Sequence, residues 1–272
     1  AIQQVSGGAP WSHYELEALG SGSDYSPFFQ HLGIASFNMG FGGESSGGEY
    51  HTMYDSYKHY KRFKDPSFQY GVALAKVAGR TSLRLANAEL LPFEFGHFTT
   101  IVKGYADEVT GMADKLRKEA DTHNAMIDNG LYALASDPKD NLKVPNAKPK
   151  VPHFNFAPLE NALGNLEKQS NRFMKATQNG VSDVKNKVAV NAILKDMERA
   201  LTKEHGLPKR PWYKHHIYAP GFYTGYGVKT LPGVREAIEQ SEFNDVEAQI
   251  NILASVINEF SSQIDKAVSL MK

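Results

Sequence analysis

Apolar residues recur at helical spacing through most of this chain, and irregularly through its first quarter. Ile101, Tyr105, Val109, Met112 and Leu116 stand three or four residues apart, as do Leu159, Leu163, Leu166 and, further on, Phe173. Val190, Leu194, Met197 and Leu201 continue the same period, and each set predicts one face of an amphipathic helix. The last helix carries the longest stripe: Val246, Ile250, Leu253, Ile257, Phe260, Ile264 and Met271. Asn244 with Glu247 resembles a capping box at its start. Several such stripes must bury against one another, so a helical bundle is expected. Residues 136–152 read as a long loop between helices, and a stretch rich in proline, tyrosine and histidine, 206–232, interrupts the helical pattern.

Residues 1–64 have another texture, rich in glycine, serine and tyrosine. Ser26-Pro27 reads as a helix start, with serine capping free amides and proline at the first helical position. Gly33 supplies a left-handed stop. Ile34-Ala35-Ser36-Phe37 then reads as a buried strand, followed by a glycine loop from Gly40 to Gly48. A helix followed by an apolar strand suggests the end of an α/β sheet domain.

Composition narrows the function classes. With 41% hydrophobic and 22% charged residues the chain can build a core. Lysine plus arginine equals aspartate plus glutamate, 30 against 30, which argues against a dedicated nucleic-acid binder. No apolar run is long enough to span a bilayer. The chain has no cysteine, so thiolate nucleophiles and thiolate metal sites are excluded. Ala1-Ile2-Gln3-Gln4-Val5 has neither the basic start nor the apolar stretch of a secretory signal, and the first residue is not methionine, which hints at a processed or trimmed piece.

Candidate chemistry is sparse. His51 follows the glycine loop within Tyr50-His51-Thr52-Met53-Tyr54-Asp55, at the expected start of a helix, where a loop beside a sheet can present a metal ligand. It is also one of ten histidines, and the residues alone leave a structural role open. Gly20-Ser21-Gly22-Ser23-Asp24 is either a turn approaching a ligand or a plain loop into a helix. The basic run from Lys58 to Lys64 reads as a solvated helix face.

Six segments, in order, resemble a known family. They are Leu19-Gly20-Ser21-Gly22-Ser23-Asp24-Tyr25 with Phe28 to Ser36, Tyr50 to Tyr57, Asp65-Pro66-Ser67-Phe68, and Leu85-Ala86-Asn87 with Leu91-Pro92-Phe93. Gly206-Leu207-Pro208-Lys209-Arg210-Pro211-Trp212-Tyr213 follows, then Ile217-Tyr218-Ala219-Pro220 with Leu231-Pro232-Gly233. Together they are similar to the glutamate carboxypeptidase and transferrin receptor family, over its C-terminal part. The resemblance implies an α/β remnant of a zinc-exopeptidase sheet domain over 1–95. It further implies an all-α helical-bundle dimerisation domain over 96–272, with loop 206–232 returning to the active site. His51 matches the last ligand of a pair of zinc ions, and Tyr50 and Tyr226 match tyrosines that hold the substrate's terminal carboxylate. Ser21 and Gly22 match the turn that contacts substrate through its backbone. Two such zinc ions acidify a bridging water and polarise the scissile carbonyl. Family habit also implies a peptide substrate, a homodimer, and a secreted or periplasmic location.

The departures matter as much. The family's other zinc ligands and its general base match nothing in these 272 residues, so the chain alone is expected to be inactive and to depend on an N-terminal peptidase portion, covalent or cleaved. Phe37-Asn38-Met39-Gly40 stands where glutamate-selective members carry arginines, and Gly225 stands where they carry a lysine. Without those cations an acidic side chain loses charge-assisted hydrogen bonds. Two function classes remain: part of a dinuclear zinc carboxypeptidase, or a catalytically inactive receptor-like dimerisation module.

Overall fold

The computed structural model describes residues 18–42, 48–135, 137, 139 and 143–271. The reading of Ala1 to Val5, most of the glycine loop 40–48 and part of the 136–152 linker fall outside the described residues. In chain order the elements are α1 (Pro27–His31, a π-helical turn), α2 (Tyr57–His59), running on into a second π-helical turn Tyr60–Lys64, and α3 (Gln69–Ala86). Next come α4 (Phe95–Asp128), α5 (Leu131–Ala135), α6 (Ala157–Thr177) and α7 (Lys187–Leu194), the last followed by a 3₁₀ turn, Met197–Leu201. Strands β1 (Tyr218–Pro220) and β2 (Val228–Thr230) precede α8 (Pro232–Glu239) and α9 (Phe243–Leu270).

The core lies between the long helices. Helix α9 packs along α6 and also meets α7, α8 and the 3₁₀ turn, while α4 lies along α6. The stripes on α6 and α9 are buried as their spacing predicts, and each such Leu or Ile contributes roughly 1.5–3 kcal/mol by leaving water. Phe95 meets Phe173 and Phe260 edge-on, with ring centres 4.7 and 5.7 Å apart, and so ties α4, α6 and α9 together. Beside this plug the buried hydroxyls of Thr99 and Ser170 satisfy one another at 2.8 Å.

Three expectations are corrected here. Ile34 to Phe37 form no strand: the segment is irregular, and Ile34 and Phe37 are exposed. A strand exists only by pairing, and no described neighbour offers this one an edge. The two strands that do form, β1 and β2, make a small antiparallel hairpin with Tyr218 opposite Thr230, and the sheet-domain remnant itself remains a matter of resemblance. The α9 cap is also shifted: the helix begins at Phe243, so Asn244 lies inside its first turn and makes no cap. On α4 the buried seam is Val102, Ala106, Val109 and Ala113, with Tyr105, Met112 and Leu116 only at its edge. Two of the four are alanines, Ala106 and Ala113, which a search for large apolar residues overlooks.

Helix α1 does begin around Ser26-Pro27 and stop at Gly33, whose φ is +63°. Ser26 is itself helical, however, and its hydroxyl makes no cap. No helix among the described residues is long and apolar enough to cross a membrane.

Candidate substrate-facing loops and the lone histidine

Loop 221–227 is the tip of the β1–β2 hairpin. The amide of Gly221 donates to the carbonyl of Gly227 at 2.9 Å, and the Thr224 hydroxyl donates to the same oxygen at 2.9 Å, closing the loop on itself. Its aromatic residues are left outward: Tyr223 is 80% and Tyr226 is 59% exposed.

The turn at Gly20 to Gly22 meets this tip. Ser21 N–H donates to the Tyr226 carbonyl at 3.1 Å. A Cβ on Gly20 would run into that same carbonyl oxygen, and one on Gly22 would stand 2.6 Å from the Tyr226 ring. Gly22 also has a φ of +88°, a conformation that glycine adopts without steric cost. Thus Ser21, Gly22 and Tyr226, some two hundred residues apart in sequence, form one surface.

Two further anchors hold the pieces in register. Buried Gln30, on α1, reaches the Gly20 carbonyl with its side-chain amide, and its own carbonyl accepts from Lys214 N–H at 2.8 Å. The motif 206–213 closes on itself, with Leu207 N–H on the Tyr213 carbonyl at 2.8 Å and no room for a Cβ at Gly206 against the Pro211 backbone. From within it, Arg210 bonds the Pro220 carbonyl and the Glu236 carboxylate of α8. The other Glu236 oxygen accepts from Phe222 N–H at 2.7 Å. Burial lowers the Arg210 pKa, and the Glu236 charge opposes that shift.

Behind the hairpin lies a buried histidine pair. His215 accepts the amides of Ile217 and Tyr218 at Nδ1, 3.2 and 3.0 Å away, so its proton sits on Nε2, 2.8 Å from Glu198. Among the described residues His216 has no hydrogen-bond partner for Nε2, and burial, aided by His215, His205 and Lys203, pulls its pKa down to about 3. Burial pushes Tyr218 upward, and burial likewise raises its neighbour Tyr105, against the lowering effect of the hydrogen bond to Tyr218.

Tyr50 and His51 sit elsewhere, in a turn rather than at a helix start. Thr52 N–H and Oγ1 both donate to the Glu49 carbonyl, at 2.9 and 2.7 Å, and Glu49 pairs with Lys64. His51 has a φ of +60°, and its ring stacks on Tyr50 with centres 3.8 Å apart. Both side chains are exposed, and neither makes a hydrogen bond or ring contact to the Gly20–Gly22 turn or to Tyr226. Helix α2 starts only at Tyr57, capped by Ser56, whose Oγ accepts His59 N–H at 3.3 Å. The basic run that follows is solvated as expected, with Lys58, Lys61, Arg62 and Lys64 all exposed.

Tested as a zinc site, the described residues contain no group of three or more histidine, aspartate or glutamate side chains placed to hold a metal ion. His51 offers one free imidazole, which by itself does not hold a zinc pair.

The residues that sequence reasoning missed are Arg210, Glu236 and Gln30. Arg210 stands in the most distinctive motif, but nothing in its spacing points to Glu236. Gln30 looks like any polar helix residue until its complete burial is seen.

Residues 154–265 match the transferrin receptor-like dimerisation domain. A protein described as "Probable glutamate carboxypeptidase LAMP1" from Arabidopsis thaliana is 34% identical over 223 residues, covering 82% of this chain and 27% of that protein. A "Probable glutamate carboxypeptidase" from Arthroderma benhamiae is 33% identical over 231 residues, covering 83% and 27%. "Aminopeptidase NAALADL1" from Rattus norvegicus is 24% identical over 263 residues, covering 94% and 30%. The chain therefore spans between a quarter and a third of the length of these relatives. With this domain, these relatives and the ordered motifs in agreement, the chain belongs to the transferrin receptor-like and glutamate carboxypeptidase family, to whose C-terminal part it corresponds.

Proposed function

We propose that this chain is the substrate-facing and dimerising part of a zinc-dependent carboxypeptidase that removes C-terminal residues from peptides. In this reading Tyr226 and Tyr50 bind the substrate's terminal carboxylate through their hydroxyls, and Ser21 and Gly22 contact its backbone. His51 supplies one zinc ligand, and the remaining donors, with the general base, come from an N-terminal peptidase portion. The helices carrying the dimerisation domain pair two copies. The zinc pair, where it is assembled, supplies an acidified water and a polarised carbonyl. The residues of this chain bind and orient substrate around it.

The observation that carries the reading is the junction of Gly20 to Gly22 with Tyr226, two segments that the family resemblance places at one substrate site and that meet here through the Ser21–Tyr226 hydrogen bond. The exposed apolar side chains of Phe28, Phe37, Phe41, Met53 and Phe63 support a surface of this chain that packs against the peptidase portion. Substituting the cations of glutamate-selective relatives by Phe37 to Gly40 and Gly225 favours neutral over acidic C-terminal residues.

The deciding experiment is His51→Ala in the full-length protein, with zinc content and peptide turnover measured together. Loss of both is expected. Full activity and metal content in that variant would show the assignment of His51 to the zinc site to be wrong.

A further inference from the structure

Arg210 and Glu236 have no place in the function proposed above, yet they form a largely enclosed ion pair beside the hairpin, with side chains 10% and 13% exposed. Arg210 comes from the motif 206–213, Glu236 from α8, and neither belongs to the loop that both of them hold. Arg210 bonds the carbonyl of Pro220, the residue just before the loop, while Glu236 accepts the amide of Phe222, the second residue within it. The guanidinium also lies 5.6 Å from the Tyr213 ring centre and 6.0 Å from that of Phe222. One end of the loop is therefore fixed by a charge pair and the other by the Ser21–Tyr226 hydrogen bond.

We infer that Arg210 and Glu236 form a latch that positions loop 221–227, and with it Tyr226, against the Gly20–Gly22 turn. The inference rests on the assignment of Tyr226 to the substrate face, but the latch itself can be tested without any enzymatic activity. The pair touches no substrate group in this account; it acts through Phe222 and Pro220. Lysine cannot replace the arginine, because a single ammonium on a flexible stem does not span the Pro220 carbonyl and the Glu236 carboxylate as a planar fork does. With the latch open, the loop keeps its internal Gly221–Gly227 closure and swings as a unit about its attachment at β1 and β2.

The test uses Arg210→Met, Arg210→Lys and Glu236→Gln in the full-length protein, read first by chymotrypsin cleavage at Phe222, Tyr223 and Tyr226. Loss of a largely enclosed charge partner should raise the cleavage rate by roughly a hundredfold in Arg210→Met, as local opening becomes populated. Glu236→Gln keeps an acceptor for the Phe222 amide and should show a smaller increase, with Arg210→Lys closer to Arg210→Met than to the native protein. Unchanged cleavage in Arg210→Met, at an unchanged melting temperature, overturns the latch. Should Arg210→Met fail to fold, the comparison of Glu236→Gln with the native protein decides in its place. The second reading is kinetic: KM for a peptide rises about tenfold while kcat stays within a factor of two, the signature of lost uniform binding. A fall in kcat at constant KM overturns the positioning role. If the native protein cleaves no peptide, the carboxypeptidase reading fails, while the chymotrypsin result still decides the latch.

Discussion

Helices α3 and α9 are both long and both amphipathic, yet α9 buries eleven of its side chains and α3 buries none. On α9 the apolar stripe is met by α6, α7 and α8, so its spacing converts directly into a core. On α3, Val72, Val77 and Leu83 stand in solvent. The contrast extends to the regions around them. Residues 90–271 enclose nearly the whole described core, whereas residues 28–63 carry Phe28, Phe37, Phe41, Tyr50, Met53, Tyr54, Tyr57 and Phe63 on the outside. Both regions are held by local hydrogen bonds: Asp65, for example, is buried and accepts Gly71 N–H at 2.9 Å at the start of α3. Local bonding shapes a segment; only an opposed apolar surface stabilises it by several kcal/mol. The contrast between the two regions is thus one of partners, not of propensity.

The largest effect that tests this contrast lies in the helical region. Leu166 is fully buried between helices, and Leu166→Ala should destabilise the chain by about 2–5 kcal/mol through lost transfer energy and the cavity left behind. Chemical denaturation measures it directly. A loss below about 1 kcal/mol would mean that the α6 stripe is not a close-packed core.

Next in size is a pH effect at His216. Its folded pKa of about 3 lies below the ordinary histidine value of 6.5, so the unfolded chain binds the proton more readily. The stabilisation is therefore complete above pH 6.5 and is lost as pH falls from there toward 3, at a slope approaching 1.4 kcal/mol per pH unit. Between pH 7 and pH 5 the native chain should lose roughly 1–2 kcal/mol that a His216→Leu variant does not lose. Parallel stability curves for the two proteins would place His216 outside the buried site.

An effect of similar size is expected where the glycine turn meets the hairpin. Gly20→Ala pushes a methyl group against the Tyr226 carbonyl and should cost about 1–3 kcal/mol, as overpacking does. Circular dichroism of the α-helices should be unchanged, because the strain falls on the hairpin tip. A fully neutral Gly20→Ala would separate the turn from the loop and remove the main support for a shared substrate surface.

How far the sequence foretells each region follows from the same physics. The stripes of α6 and α9 and the set Val190, Leu194, Met197 and Leu201 are legible because each is answered by another stripe in the same chain. The strand expected at Ile34 to Phe37 is not formed, since pairing is non-local and its apolar letters say nothing about who pairs with them. The turn at Gly20 to Gly22 and the aromatic tip at Tyr226 are legible as motifs, but their meeting depends on a Cβ-free approach that no periodicity encodes. Arg210 with Glu236 lies beyond reach for the same reason: a partly buried ion pair between a loop and a helix 26 residues later has no spacing rule. The zinc role proposed for His51 rests on resemblance, because a single exposed imidazole carries no sign of the donors it would join.

The smallest effect is the most informative about the unpartnered region. Leu83 lies on α3 at 64% exposure and Met53 in the following turn of Tyr50–His51 at 88%, so truncating either removes almost no buried area in this chain. Leu83→Ala and Met53→Ala should each change its stability by less than about 0.5 kcal/mol, within the range of surface substitutions. In the full-length protein the same two changes should cost about 1–3 kcal/mol if the surface packs against a peptidase portion, because the side chains then leave water. A pair of measurements on each variant, in the chain and in the full-length protein, separates the alternatives. Equal and negligible losses in both would show that the apolar surface of residues 28–83 faces solvent in the complete molecule. A large loss in the chain alone would show that α3 already has a partner within it, and would erase the distinction between α3 and α9.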